Sequence, residues 1–119
     1  MKQYTAGFLG AGNMGGALAQ AAIRTAGAEN VILTCKTEAH TRAAAERLGC
    51  ASGPAAEIVR SSRFVFLGVK PQMLSALAEE LGGVIGEAEC VLVSMLAGVT
   101  LERLEALFPG KRILRIMPN

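Results

Sequence analysis

Short aliphatic and aromatic runs recur along the chain at Tyr4–Leu9, Val31–Thr34 and residues 64–67, 91–93 and 113–117, separated by stretches rich in Ala, Glu, Leu and Arg. The runs are continuous rather than alternating. That is the pattern of strands covered on both faces, where neither side meets water. The intervening stretches predict helices over Asn13–Ala26, Glu38–Leu48 and residues 54–61, 72–81 and 101–108. Thr37 and Thr100 stand where a side-chain oxygen can accept a hydrogen bond from an unpaired first-turn amide. Gly27, Gly49 and Gly82 stand where helices can stop. A weak strand at residues 50–52 completes a first β-α-β-α-β half, and the three later strands make a second. Right-handed crossovers then predict an α/β fold, a doubly wound parallel sheet in the order 3-2-1-4-5-6.

Length and composition suit one such unit. The chain has 119 residues, 51% hydrophobic and 18% charged, which leaves little room for a second domain and argues against disorder. Twelve Lys and Arg against ten Asp and Glu give a formal charge of +2, so no nucleic-acid partner is expected. No apolar run approaches the ~20 residues of a membrane-spanning helix. The glycines at 10 and 12 arrive too early for a secretory h-region and cleavage site, and Lys2 is the one basic residue before them. The three cysteines, Cys35, Cys50 and Cys90, are odd in number and lack C-x-x-C spacing, which points away from a disulfide framework or a zinc site. Together these features lead to the expectation of a protein of the reducing cytoplasm, with no membrane and no metal.

The first strand runs directly into Gly10-Ala11-Gly12-Asn13-Met14-Gly15 and then into an alanine-rich helix. Strand, G-x-G-x-x-G and helix in succession form the fingerprint of a Rossmann-type dinucleotide-binding domain. Gly10 permits the tight turn, Gly12 lets a pyrophosphate approach the backbone, and Gly15 lets the helix lie close to the strand. Amides at the helix start face the phosphates. The helix dipole adds only about 0.3–1 kcal/mol for an anion, so shape and amide hydrogen bonds carry most of the recognition.

Sites that prefer NAD usually carry an acid at the end of the second strand, about 20 residues past the glycines, for the ribose 2′-hydroxyl. This chain has Leu33-Thr34-Cys35-Lys36-Thr37 there instead. Lys36 and the hydroxyls of Thr34 and Thr37 can hold a 2′-phosphate, each hydrogen bond to a charged group contributing roughly 1.5–3 kcal/mol. NADP is therefore the expected cofactor, with NAD as the alternative. The competing reading makes Lys36 a solvated loop lysine and Thr37 only a helix cap, and Glu38 lies close by.

Three later segments narrow the family: Phe66-Leu67-Gly68-Val69-Lys70-Pro71-Gln72-Met73, Val93-Ser94-Met95-Leu96-Ala97-Gly98-Val99-Thr100, and Arg115-Ile116-Met117-Pro118-Asn119. With the glycine loop they run collinearly along the chain and resemble pyrroline-5-carboxylate reductase. The resemblance implies NAD(P)H-dependent reduction of 1-pyrroline-5-carboxylate to L-proline, the last step of proline biosynthesis. It implies cofactor contacts on Leu9, Gly10, Ala11, Gly12, Asn13, Met14 and Gly15, and on Cys35 and Lys36. Further contacts would fall on Gly68, Val69, Lys70 and Pro71, and on Met95, Leu96 and Ala97. Asn119, with an amide donor and a carbonyl acceptor, is the one candidate here for a contribution near the reacting ring. Catalytic residues are otherwise expected outside these residues.

Two departures from that family stand out. The family often has an Asn near the start of the helix before the fourth strand, whereas this chain has Pro54-Ala55-Ala56. Arg63 replaces a commonly acidic residue. The resemblance also implies a helical dimerisation and substrate domain following residue 119, so the chain reads as the cofactor-binding half of a homo-oligomeric enzyme. His40, early in the second helix, reads as a solvated residue. Two other readings remain open at this point: a stand-alone NADP-binding module without catalysis, and a relative of the deazaflavin-dependent NADP reductases, against which the M-P-N block weighs.

Overall fold

A computed structural model of the chain describes residues 3–11 and 13–116, and of residues 13–15 the backbone alone. Six strands, β1 (Tyr4–Leu9), β2 (Val31–Thr34), β3 (Ala51–Ser52), β4 (Ser62–Leu67), β5 (Val91–Ser94) and β6 (Ile113–Arg115), form one sheet. All pairs are parallel, in the expected order 3-2-1-4-5-6. Five helices connect them: α1 (Asn13–Ala26), α2 (Glu38–Leu48), α3 (Ala55–Ser61), α4 (Leu74–Glu87) and α5 (Leu101–Leu107). None of the described helices is long and apolar enough to cross a membrane.

The strands alternate between two buried faces. Ala6, Phe8, Val31 and Leu33 lie against Ala19 of α1 and Ala44 and Ala45 of α2, small side chains that bring those helices close. Leu9, Ile32, Val65, Leu67 and Leu92 lie on the opposite face under Ile58, Leu74, Leu81, Ile85 and Leu104 from α3, α4 and α5. Fully burying each large aliphatic side chain stabilises the fold by roughly 1.5–3 kcal/mol. Phe8 and Phe66, opposite one another in the β1–β4 register, stack with ring centroids 4.5 Å apart.

Helix ends follow the cap chemistry in most places. Thr37 and Thr100 accept hydrogen bonds from the amides of His40 and Arg103, both at 3.1 Å. Gly49 closes α2 in the left-handed region at φ 71°. Gly82 does not stop a helix, contrary to the sequence reading. Leu74, Leu81 and Ile85 recur on one buried face and carry α4 through Gly82 and Gly83 to Glu87. Smaller differences are that α3 begins after Pro54, β4 begins at Ser62, and Pro71 opens a single 3-10 turn, Pro71–Met73, ahead of α4.

Gly7, in the middle of β1, has a steric role. A Cβ there would stand 2.3 Å from Ser62 Oγ and 2.5 Å from the γ2 methyl of Ile58. The serine hydroxyl can rotate away. Ile58 is branched at Cβ and fully buried, so the helix itself would have to move. Gly7→Ala is therefore expected to lower unfolding free energy by about 1–3 kcal/mol in urea titrations. Gly83→Ala, on an exposed stretch of α4 where a Cβ meets nothing within 4 Å, is expected to raise it by about 0.5–1 kcal/mol.

Candidate functional site

The strand order reverses direction between β1 and β4, and the chain leaves those two strands by loops that part above the sheet. Open parallel sheets bind ligands at such a divide, at the carboxyl ends of the strands. The two loops touch at glycines. A Cβ on Gly10 would stand 2.8 Å from the Gly68 carbonyl carbon and the Val69 amide nitrogen, and one on Gly68 would stand 2.5 Å from the Gly10 carbonyl oxygen. Gly10 also holds φ at +88°, a region that L side chains rarely adopt. Hydrogen bonds lock the approach. The Gly68 amide donates to the Leu9 carbonyl at 2.8 Å, while the Gly10 and Ala11 amides both donate to the Thr34 carbonyl, at 3.0 and 3.1 Å.

Leu9 and Ala11 are buried, so what they can offer a ligand is main chain rather than side chain. Gly12 lies outside the described residues, as does Asn119. Asn13, Met14 and Gly15 open α1, and their side chains also lie outside the description.

Beside the glycine loop a pocket of about 520 Å³ is walled by the turn from Thr34 to Glu38, by Thr41 and Arg42 on α2, and by residues 52–54. Cys35 and Lys36, read from the sequence as cofactor contacts, both line it. Lys36 is exposed, and Cys35 is half-buried with Sγ 3.5 Å from the Ala11 carbonyl oxygen, to which it donates. Thr37 accepts the His40 amide and still has its own hydroxyl proton to donate. His40 is exposed.

The shape of this turn depends on Thr41, which the sequence reading passed over. Its hydroxyl accepts from the Cys35 amide and donates to the Thr37 carbonyl, both at 2.8 Å. Arg42 was likewise not singled out, and its Nη2 lies 3.0 Å from Glu38 Oε1. Both signals are in the sequence as i,i+4 spacings, Thr37 with Thr41 and Glu38 with Arg42. An exposed pair of this kind contributes only about 0.3–0.5 kcal/mol, so the guanidinium is free to take a stronger anion.

On the other side of the divide, Lys70 and Pro71 are exposed and Val69 is half-buried. Met95 and Leu96 follow β5 but turn into the protein, 6% and 5% exposed, on opposite faces of the sheet. The Leu96 amide donates to Ser94 Oγ at 3.2 Å, which fixes the loop's exit. Ala97 and Gly98 are exposed, and the absence of bulk leaves space above the strand ends. Met95 serves the site from behind, its methyl group 2.7 Å from where a Cβ on Gly68 would stand.

A larger concavity, about 590 Å³, opens at the opposite edge of the sheet between residues such as Gln3, Arg60, Arg63 and Glu89. It lies at the amino ends of the strands, opposite the Gly10–Gly68 contact, and is not the candidate site. Burial pushes the Cys50 and Cys90 thiols up, Lys111 partly opposing this at Cys90, so neither is activated as a nucleophile. No group of three or more His, Cys, Asp or Glu among the described residues could hold a metal ion.

Comparison with known proteins agrees with this geometry. Residues 5–98, from β1 through the β5 loop, match the family model described as NADP oxidoreductase coenzyme F420-dependent. The chain belongs to that family. Pyrroline-5-carboxylate reductase 3 of Macaca fascicularis is 38% identical over 120 residues, covering 95% of this chain and 42% of the relative. Among solved structures, a pyrroline-5-carboxylate reductase from Coxiella burnetii superimposes with a TM-score of 0.86 at 24% identity, over 99% of this chain and 45% of that one. Plasmodium falciparum pyrroline carboxylate reductase, solved with NADP bound, gives 0.80 at 22% identity, over 100% and 44%. The resemblance to pyrroline-5-carboxylate reductase read from the sequence thus agrees with the names of these relatives, and the doubly wound fold is theirs. The chain spans less than half the length of each.

Within this family fold, Thr41 is expected to position the pocket rather than to touch a ligand. Thr41→Val keeps the shape of the side chain but leaves the partly buried Cys35 amide without its acceptor, at a cost of about 1–3 kcal/mol. Hydrogen exchange at the Cys35 amide is expected to quicken by more than exchange in β4, which rises only by the overall loss of stability.

Proposed function

We propose that the chain is the NADP-binding half of a pyrroline-5-carboxylate reductase, reducing 1-pyrroline-5-carboxylate to L-proline. One observation carries the reading: three of the sequence blocks that resemble that enzyme, the glycine loop, V-K-P and A-G-V-T, follow the carboxyl ends of the neighbouring strands β1, β4 and β5, the first two meeting at the Gly10–Gly68 contact. The similarity to the curated relative also runs through 95% of the chain, past the end of the family model at residue 98. That extent favours the proline enzyme over a deazaflavin-dependent reductase.

The residues fit the cofactor. The close backbone contact at Gly10 and Gly68 keeps side chains away from the place where a pyrophosphate would meet the main chain. Lys36, the Thr37 hydroxyl and the start of α2 border the pocket that the adenosine 2′-phosphate would enter. Ala97 and Gly98 leave room at the end of β5 for a planar ring. When bound, the reduced nicotinamide supplies the hydride for the C=N carbon, and the imine nitrogen takes up a proton. What this chain contributes is orientation: strand ends held by the Leu9, Thr34 and Ser94 hydrogen bonds keep the crevice at a set width.

We further infer that the helical domain implied by the resemblance forms a homo-oligomer and holds the substrate carboxylate in the full-length protein. The protein on this reading is a cytoplasmic enzyme acting on a small molecule, with neither nucleic acid nor membrane as partner. Asn119 remains a candidate contributor beside the ring.

Calorimetry and turnover assays test the proposal. The full-length protein is expected to oxidise NADPH in the presence of 1-pyrroline-5-carboxylate, and residues 1–119 alone to bind NADPH without turnover. Lys36→Ala is expected to weaken NADPH about tenfold, the equivalent of ~1.4 kcal/mol, with much less effect on NADH. Equal losses for both coenzymes would reject the phosphate role of Lys36. Turnover by residues 1–119 alone would overturn the half-enzyme account, and binding of neither coenzyme would overturn the whole reading.

A further inference from the structure

The wall of the 520 Å³ pocket carries two opposite charges one helical turn apart, Glu38 and Arg42. Their side chains meet through Nη2 and Oε1 at 3.0 Å while 87% and 70% exposed respectively, so both stay within reach of a ligand. Chemically they are the two opposing answers to one question. A carboxylate accepts hydrogen bonds from a free ribose 2′-hydroxyl and repels a 2′-phosphate, whereas a guanidinium grips a phosphate through two parallel donors. Here each is tied to the other. The remaining charged and polar groups at the pocket are Lys36 and the hydroxyls of Thr34, Thr37, Thr41 and Ser52, so Glu38 is the sole carboxylate among its described lining residues.

We propose that Glu38 and Arg42 form an exchangeable pair that sets coenzyme preference. With a 2′-phosphate in the pocket, Arg42 swings from Glu38 to the phosphate. With a free 2′-hydroxyl, Arg42 stays on Oε1 and leaves Oε2 of Glu38 to accept from the ribose. One site thereby takes both coenzymes, and the pair holds back the phosphate form from its full affinity. This rests on the reading of the pocket as the adenosine end of the NADP site.

The test is titration of the full-length protein and two variants with 2′,5′-ADP and with 5′-AMP, which isolate the adenosine end, and then with NADPH and NADH. Glu38→Gln, which keeps the shape of the side chain and removes its charge, is expected to tighten 2′,5′-ADP and NADPH several-fold and to weaken NADH. Arg42→Gln is expected to weaken 2′,5′-ADP and NADPH about tenfold and to leave 5′-AMP and NADH unchanged or tighter. The decisive quantity is the ratio of the two affinities, which moves in opposite directions in the two variants. A fault in α2 folding would shift both ligands together. If the parent binds NADPH and neither variant changes the ratio, the exchange is wrong and the NADP site stands. If the parent binds none of the four nucleotides, the site and the exchange fall together.

Discussion

Where β1 and β4 end side by side, two backbones pass closer than any pair of side-chain-bearing residues would allow. Gly10 and Gly68 meet carbonyl to backbone, and a methyl group on either would stand within 2.9 Å of the other's main chain. The rest of the site is arranged around this contact. It brings the turn after β1 against the turn after β4 and leaves the divide between them edged by amides and carbonyls rather than side chains. The Leu9 carbonyl holds one side and the Thr34 carbonyl the other, so the loop is pinned to β4 and β2 at once.

The same logic of close approach extends down β1. Gly7 lets α3 settle onto the sheet through Ile58, and the alanines of α1 and α2 do the equivalent on the opposite face. A thin central strand between two near helices is stiff, and that stiffness fixes the spacing of the loops that leave its carboxyl end. The pocket beyond β2 is built differently. Its turn is held by a side chain, Thr41, and two of its charges, Glu38 and Arg42, lie exposed near the start of α2.

Much of this was legible in the residues. The strand order followed from continuous apolar runs and the right-handed crossover, and the Gly10 turn followed from the glycine spacing. Lys36 drew notice because no acid ends β2, and Cys35 only through the family resemblance. Other features resisted reading because their causes lie far away in the chain. Gly82 resembled a helix stop, yet Leu81 and Ile85, anchored against the sheet, carried α4 past it. Gly68 drew notice through the V-K-P block, but its steric partner, Gly10, lies in another loop. The burial of Met95 and Leu96 depends on which face of the sheet each loop residue reaches. Thr41 and Arg42 each had a local signal, a four-residue spacing on α2, that competes with many similar spacings in any helix.

All six strands are parallel, and none is joined to a neighbour by a hairpin. Each pairing therefore requires a crossover, and the pairing of β1 with β4, which has the β2 and β3 units between its strands in the chain, closes the longest loop in the sheet. The Gly10–Gly68 contact sits on that most distant pairing. The rim where the turns after β1 and β4 meet is consequently a property of the finished sheet: a partly melted chain can keep its helices and its outer strand pairs and still lack that rim.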